Sequence, residues 1–82
     1  MQGYVIYIDN KRVKKNYFRA VGEYLVPLRY ATVFTKLNDA IKAERNLLNN
    51  DSDGTIRIFQ VDVPRKGHRQ VISLIESVDA WT

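Results

Sequence analysis

The chain contains no cysteine, so disulfides and thiolate metal sites are excluded and the redox compartment is left open. Histidine occurs once, as His68, in a Pro/Gly-punctuated stretch with Arg65, Lys66 and Arg69. No carboxylate is adjacent in sequence to orient its ring, so general-base chemistry finds no partner there, and a solvated loop histidine is the expectation. With one histidine and no cysteine there is no zinc cluster. The four glycines are scattered rather than gathered into a phosphate-cradling loop. Asp51-Ser52-Asp53-Gly54 echoes the start of a calcium loop, but the acidic residue expected further on is replaced by Thr55-Ile56-Arg57-Ile58-Phe59. No metal, no cofactor and no enzymatic activity are expected. No apolar run approaches the ~20 residues of a membrane span. The opening Met1-Gln2-Gly3-Tyr4 lacks the charged start and long apolar stretch of a signal peptide. The expectation is a cytoplasmic protein without a membrane partner.

What is present describes one folded domain over residues 1–82. Hydrophobic residues make up 45% and charged residues 27%, a globular balance rather than a disordered one. A chain this short buries only about 60–65% of its unfolded surface, so its margin of stability is small. The formal net charge of +4 permits nucleic-acid or acidic-protein partners.

The chain is organised around residues 31–50. There the run Thr32, Val33, Phe34 passes at Thr35 into helical spacing, with Leu37, Ala40, Ile41, Leu47 and Leu48 on one stripe. Glu44 is the single polar interruption of that stripe. Lys36, Asn38, Lys42, Arg45 and Asn46 take the opposite face. Thr35 reads as the N-cap, Asp39 sits near the positive end of the helix dipole, and the helix is expected from about Lys36 to Asn49.

Elsewhere the signals are strands. Tyr4-Val5-Ile6-Tyr7-Ile8 is β-branched or aromatic throughout, with apolar side chains on both faces, as a central strand requires. After a basic connector, residues 17–21 return antiparallel. Residues 24–26 stay extended until Pro27, which cannot donate to a ladder. Residues 55–63 form a strand whose apolar phase changes near Phe59-Gln60, which implies either two partly buried faces or a bulge. Residues 64–68 make a hairpin loop, residues 69–75 the returning strand, and residues 76–82 a tail in which Val78 and Trp81 are apolar enough to dock. The order β-β-(β)-α-β-β is an α+β domain, an antiparallel sheet of four to five strands with one amphipathic helix on one face.

Two basic clusters stand out: Lys11, Arg12, Lys14, Lys15 and Arg19 near the first hairpin, and Arg65, Lys66, His68 and Arg69 in the last. Aromatics on strands, Tyr7 and Phe59 above all with Tyr17 and Phe18, complete a surface of the kind that stacks single-stranded bases between phosphate-binding loops. The glycine-aromatic signature and second helix of an RNA-recognition motif are missing. Apolar excess is the more physical clue. One helix of roughly 14 residues covers a single sheet face. Val5, Tyr7, Phe59, Val61 and half of the last strand therefore need another cover. A homodimer is expected, with the Val78/Trp81 tail as the competing solution.

The block Tyr30-Ala31-Thr32-Val33-Phe34-Thr35-Lys36-Leu37-Asn38-Asp39-Ala40 lies between the opening Tyr-Val-Ile strand and a closing Ile-Arg-Ile-Phe-Gln-Val strand. It resembles a pattern found in small uncharacterised proteins of bacteriophages and mobile elements, over roughly residues 4–63. The resemblance implies a non-catalytic accessory protein that binds and inhibits a host macromolecule such as a CRISPR or other defence nuclease, in the manner of anti-CRISPR proteins. The implied partner is a host protein or protein–nucleic-acid complex in the host cytoplasm. The resemblance carries over no catalytic residue. The second reading is a small basic nucleic-acid-binding regulator that uses the two clusters.

Overall fold

The computed structural model describes residues 1–9, 16–22, 25–50 and 55–79. The elements run β1 (Gln2–Asp9), β2 (Tyr17–Phe18), β3 (Leu25–Val26), a 3-10 turn (Leu28–Tyr30), α1 (Leu37–Asn50), β4 (Thr55–Asp62) and β5 (Gln70–Asp79). The strands form one antiparallel sheet in the order β3-β2-β1-β4-β5, and α1 packs on one face of it, giving the α+β fold. The basic connector Lys11, Arg12, Lys14 and Lys15, the calcium-like turn at residues 51–54 and Trp81 lie outside the described residues.

The centre of the sheet is the β1–β4 pair, in unbroken register from Gln2 opposite Asp62 to Asp9 opposite Thr55. Alternation sends Ile6, Ile8, Ile56 and Ile58 to the helix side, where they are sealed by Ala40 and Leu47 with Leu37, Ile41, Ala43 and Leu48 around them. Lys36, Asn38, Lys42, Arg45 and Asn46 are all exposed, as the helical spacing requires. The first i→i−4 bond runs from the Ala40 N–H to the Lys36 carbonyl, so Lys36 holds the cap position and Thr35 stands one residue before it. Phe18 and Phe34 extend this core, their rings stacked 6.4 Å apart.

The opposite face is where structure and expectation part. Val5 and Val61 are fully buried, and their cover comes from within the chain rather than from a second subunit. After Pro27 ends β3, the chain folds over the second face through the 3-10 turn and lays Leu28, Ala31 and Val33 on Val5 and Val61. The Arg69 guanidinium holds this strap by donating to the Leu28 carbonyl at 2.9 Å and the Ala31 carbonyl at 2.8 Å. The strap then runs alongside β1. Tyr4 and Phe34 exchange backbone bonds at 2.8 Å each way, an isolated bridge separate from β3. Gly3 makes that approach possible, since a Cβ there would overlap Val33 Cγ1 and stand 3.1 Å from the Phe34 carbonyl oxygen.

Two strand boundaries also differ from expectation: the second strand, expected over residues 17–21, ends at Phe18, and the last strand runs past residue 75. The tail expected over residues 76–82 is strand as far as Asp79, because Ile56, Arg57 and Thr55 of β4 supply partners for Val78, Ser77 and Asp79. The irregularity expected near Phe59-Gln60 is present twice, between Ile58 and Phe59 and between Gln60 and Val61, but only in the pairing with β5. There Ile75 and Ile72 are the extra residues of two bulges, while the β1 side of β4 keeps its register.

Ile6 makes this packing testable. Ile6→Ala removes a fully buried side chain from between α1 and β4. Urea denaturation is expected to show a loss of about 2–5 kcal/mol, the usual cost of such a truncation where the core cannot collapse.

Candidate functional site

The strap and α1 leave one strand without cover. β5 is an edge, hydrogen-bonded to β4 on one side only. Along it Val71 (41%), Ile72 (48%), Leu74 (53%) and Ile75 (40%) are exposed to solvent. No charged residue interrupts the run from Gln70 to Ile75. Soluble sheets commonly blunt such edges with lysine, proline or a very short strand. The opposite edge follows that pattern, since β3 has two residues and ends at Pro27.

β5 continues into the second face. Leu74 lies opposite Phe59 and Val71 opposite Val61. Beside Phe59 stands Tyr7, with ring centroids 5.8 Å apart at 73°, and Tyr7 meets Tyr17 at 5.2 Å and 65°. The sheet thus brings the two expected aromatics, Tyr7 and Phe59, together. They pack edge to face and half-buried, so their faces serve one another. Arg57 lies 5.9 Å from the Tyr7 ring and pairs with Asp9 at 3.1 Å, and the Asn16 amide donates to the Tyr7 hydroxyl at 3.4 Å. Burial, with Tyr7 alongside, pushes the Tyr17 phenol above its ordinary range.

The second basic cluster divides. Arg65, Lys66 and His68 are exposed in the β4–β5 loop, where Gly67 takes a left-handed turn at φ 96°. Arg69 is half-buried and committed to the strap through Nη1, so it is a structural clamp rather than a mobile surface cation. With Pro27, Leu28, Arg29 and His68 it lines an open pocket of about 250 Å³. Arg29 lies 4.9 Å over the Tyr30 ring at its rim. Of the first cluster only Arg19 is described, exposed after β2.

The feature the sequence reading missed is a carboxyl pair beneath α1. Glu44, on the buried stripe of the helix, is 2% exposed and hydrogen-bonds to Glu76 of β5. Register explains the meeting, since Glu76 lies opposite Ile58 on the helix side of the sheet. The second oxygen of each, Oε2, is buried without a partner among the described residues. Burial first, then the charge and hydrogen bond of Glu76, push the Glu44 carboxyl up to about 7, against a smaller opposing pull from Arg45. The signal was the polar interruption of the helix stripe, but its partner fell in residues read as a tail.

No group of three or more metal-ligating side chains occurs among the described residues. No described helix is long and apolar enough to cross a membrane.

The pair has a pH signature. A carboxyl whose folded pKa exceeds its unfolded value near 4.5 stabilises the fold fully below pH 4.5, and that contribution is lost as pH rises through about 7. The melting temperature should fall across that window. Glu44→Gln, which keeps the shape without the charge, should flatten the fall and melt above the parent at pH 8, by at most roughly 3 kcal/mol. Thermal melts at pH 5 and pH 8 check this. A parent that is more stable than Glu44→Gln at pH 8 contradicts it.

Comparison with protein-family models, with curated proteins and with solved structures finds no match.

Proposed function

We propose that the protein is a non-catalytic binding protein that acts by occupying a macromolecular partner through β5. The observation that supports this reading is the row Val71, Ile72, Leu74 and Ile75, each 40–53% exposed, on a strand that pairs with β4 alone among the described strands. Extended segments add to such an edge by main-chain bonds, and the side chains select the partner. What supports the non-catalytic part is the placement of the perturbed carboxyl, because Glu44 is buried between α1 and the sheet, away from any substrate. The sequence resemblance to phage and mobile-element proteins supplies the partner class. In this reading a host macromolecule such as a CRISPR or other defence nuclease is bound and inhibited.

A second reading is a small basic nucleic-acid-binding regulator. The open pocket with Arg29, His68 and Arg69, flanked by exposed Arg65 and Lys66, favours it. Contacts of that kind weaken steeply with salt.

One set of variants separates the two. The tagged protein, expressed in a CRISPR-bearing bacterium, should co-purify with a host nuclease and inhibit its cleavage reaction. The pair Ile72→Lys and Leu74→Lys should remove both effects at little cost in stability, since both positions are exposed. Inhibition that survives these substitutions overturns β5 as the site. A gel shift at low salt that disappears on raising the salt, and with Arg29, Arg65 and Lys66 changed to Ser, would favour the nucleic-acid reading instead. Arg69 is left intact in that set because it holds the strap.

A further inference from the structure

We infer that the open pocket between the strap and the β4–β5 loop binds a phosphate monoester, with the phosphate on Arg29, His68 and Arg69 and its organic part against Pro27 and Leu28. The site is separate from β5 and needs nothing of the reading that places a partner there. It shares residues with the nucleic-acid reading, from which the form of the ligand separates it. Three observations carry it.

The first is the unused edge of Arg69. A guanidinium holds five N–H donors in one rigid plane. Nη1 gives its two to the Leu28 and Ala31 carbonyls, at 2.9 and 2.8 Å. Nε and Nη2 form another edge of that plane, and no described residue accepts from them. Such an edge is a fork that meets two oxygens of an oxyanion at once. The carbonyl bonds hold it in place, so a ligand meets a donor that is already oriented.

The second is charge without a counter-charge. Of the five lining residues, Pro27, Leu28, Arg29, His68 and Arg69, none is acidic. Neither arginine makes an ion pair with a carboxylate among the described residues. Arg29 rests 4.9 Å from the centre of the Tyr30 ring, which steadies its guanidinium without neutralising it. Exposed His68 adds a ring N–H. The third is the match of groups. A phosphate monoester carries nearly two negative charges at neutral pH and three terminal oxygens, enough for all of Arg29, His68 and Arg69. A backbone diester has a single charge and leaves part of that set unmatched. The volume of about 250 Å³ exceeds a bare phosphate, and Pro27 and Leu28 wall the remainder with apolar surface.

Calorimetric titration of the full chain at low salt, with adenosine monophosphate as the probe, tests the inference. The nucleotide should bind, inorganic phosphate should bind more weakly, and adenosine should not bind. Arg29→Gln should weaken the nucleotide roughly 10-fold, as the loss of a hydrogen bond to a charged group does. Lys42→Gln removes the same charge from the exposed face of α1, across the sheet, and should change affinity less than about 2-fold. Both positions are exposed, so both variants should melt close to the parent. Because Arg69 also clamps the strap, the bound nucleotide should slow amide exchange at Tyr30, Ala31 and Thr32, whose N–H groups bond to Pro27, Leu28 and Phe18. Single-stranded oligonucleotides with and without a terminal phosphate tell the sources of the group apart. Binding only of the phosphorylated strand supports the inference and makes a strand end one source. Nucleotide binding with no oligonucleotide binding also supports it and removes the nucleic-acid reading. An unphosphorylated strand that displaces the nucleotide overturns it in favour of backbone contacts. Equal weakening by the two substitutions, or no binding at millimolar nucleotide, overturns it as well.

Discussion

The β1–β4 pair imposes the constraint on which the rest of the molecule depends. Two strands in unbroken register present apolar side chains on both faces, so that neighbours along one strand, Val5 and Ile6, are each fully buried on opposite sides. An α-helix brings one stripe to one face, and burying apolar area at about 25 cal/mol per Å² is too large a term to leave half unused in a small domain. The chain therefore needs a second cover and makes one from residues 27–33, whose only helical part is a three-residue 3-10 turn after Pro27. That strap has few hydrogen bonds of its own. Arg69 reaches from the β4–β5 loop to two of its carbonyls, and the Thr32 N–H donates to the Phe18 carbonyl at 3.1 Å. A cation that reads as part of a basic surface is thus a tie within the fold.

The two covers also define what stays bare. α1 packs on β1 and β4, and the strap seals Val5 and Val61. β5 extends beyond both, and its bulges at Ile72 and Ile75 break the alternation that would otherwise turn its aliphatics toward one protected side. From the helix, Glu44 reaches Glu76 of β5. The stabilisation that the Glu44 carboxyl gives below pH 4.5 is lost as pH rises through about 7, which loosens the seat of α1 toward neutral pH. The exposed aliphatics and Glu76 lie on the same strand, with Glu76 two residues from Leu74.

The parts of the fold written in local periodicity were legible in the sequence. The 3.6-residue spacing of Leu37, Ala40, Ile41, Leu47 and Leu48 placed α1 within one residue at each end, and the β-branched runs placed β1 and β4. The strap was not legible. Its cover over Val5 depends on Gly3 lacking a side chain and on an arginine 38 residues from Ala31, neither of which leaves a local pattern. The C-terminal half of β5 was missed for a related reason. Glu76-Ser77-Val78-Asp79 has poor strand propensity, and the ladder with Thr55–Asp62 overrides it. Of the candidate site, Tyr7 and Phe59 were expected on a sheet face, and it is the β1–β4 pairing, not legible in the sequence, that makes them neighbours. The apolar excess was also foreseen, but its larger share belongs to the strap and only the β5 share is left for a partner.

Hydroxyl-radical footprinting, read residue by residue over a range of protein concentrations, tests this division of the second face most directly. The account predicts that Val5 and Val61 resist oxidation at every concentration. Ile72 and Leu74 should be labelled readily in dilute protein. Labelling of Val5 and Val61 as fast as Leu74 would contradict the strap, and protection of Leu74 at the lowest concentration would contradict the open edge.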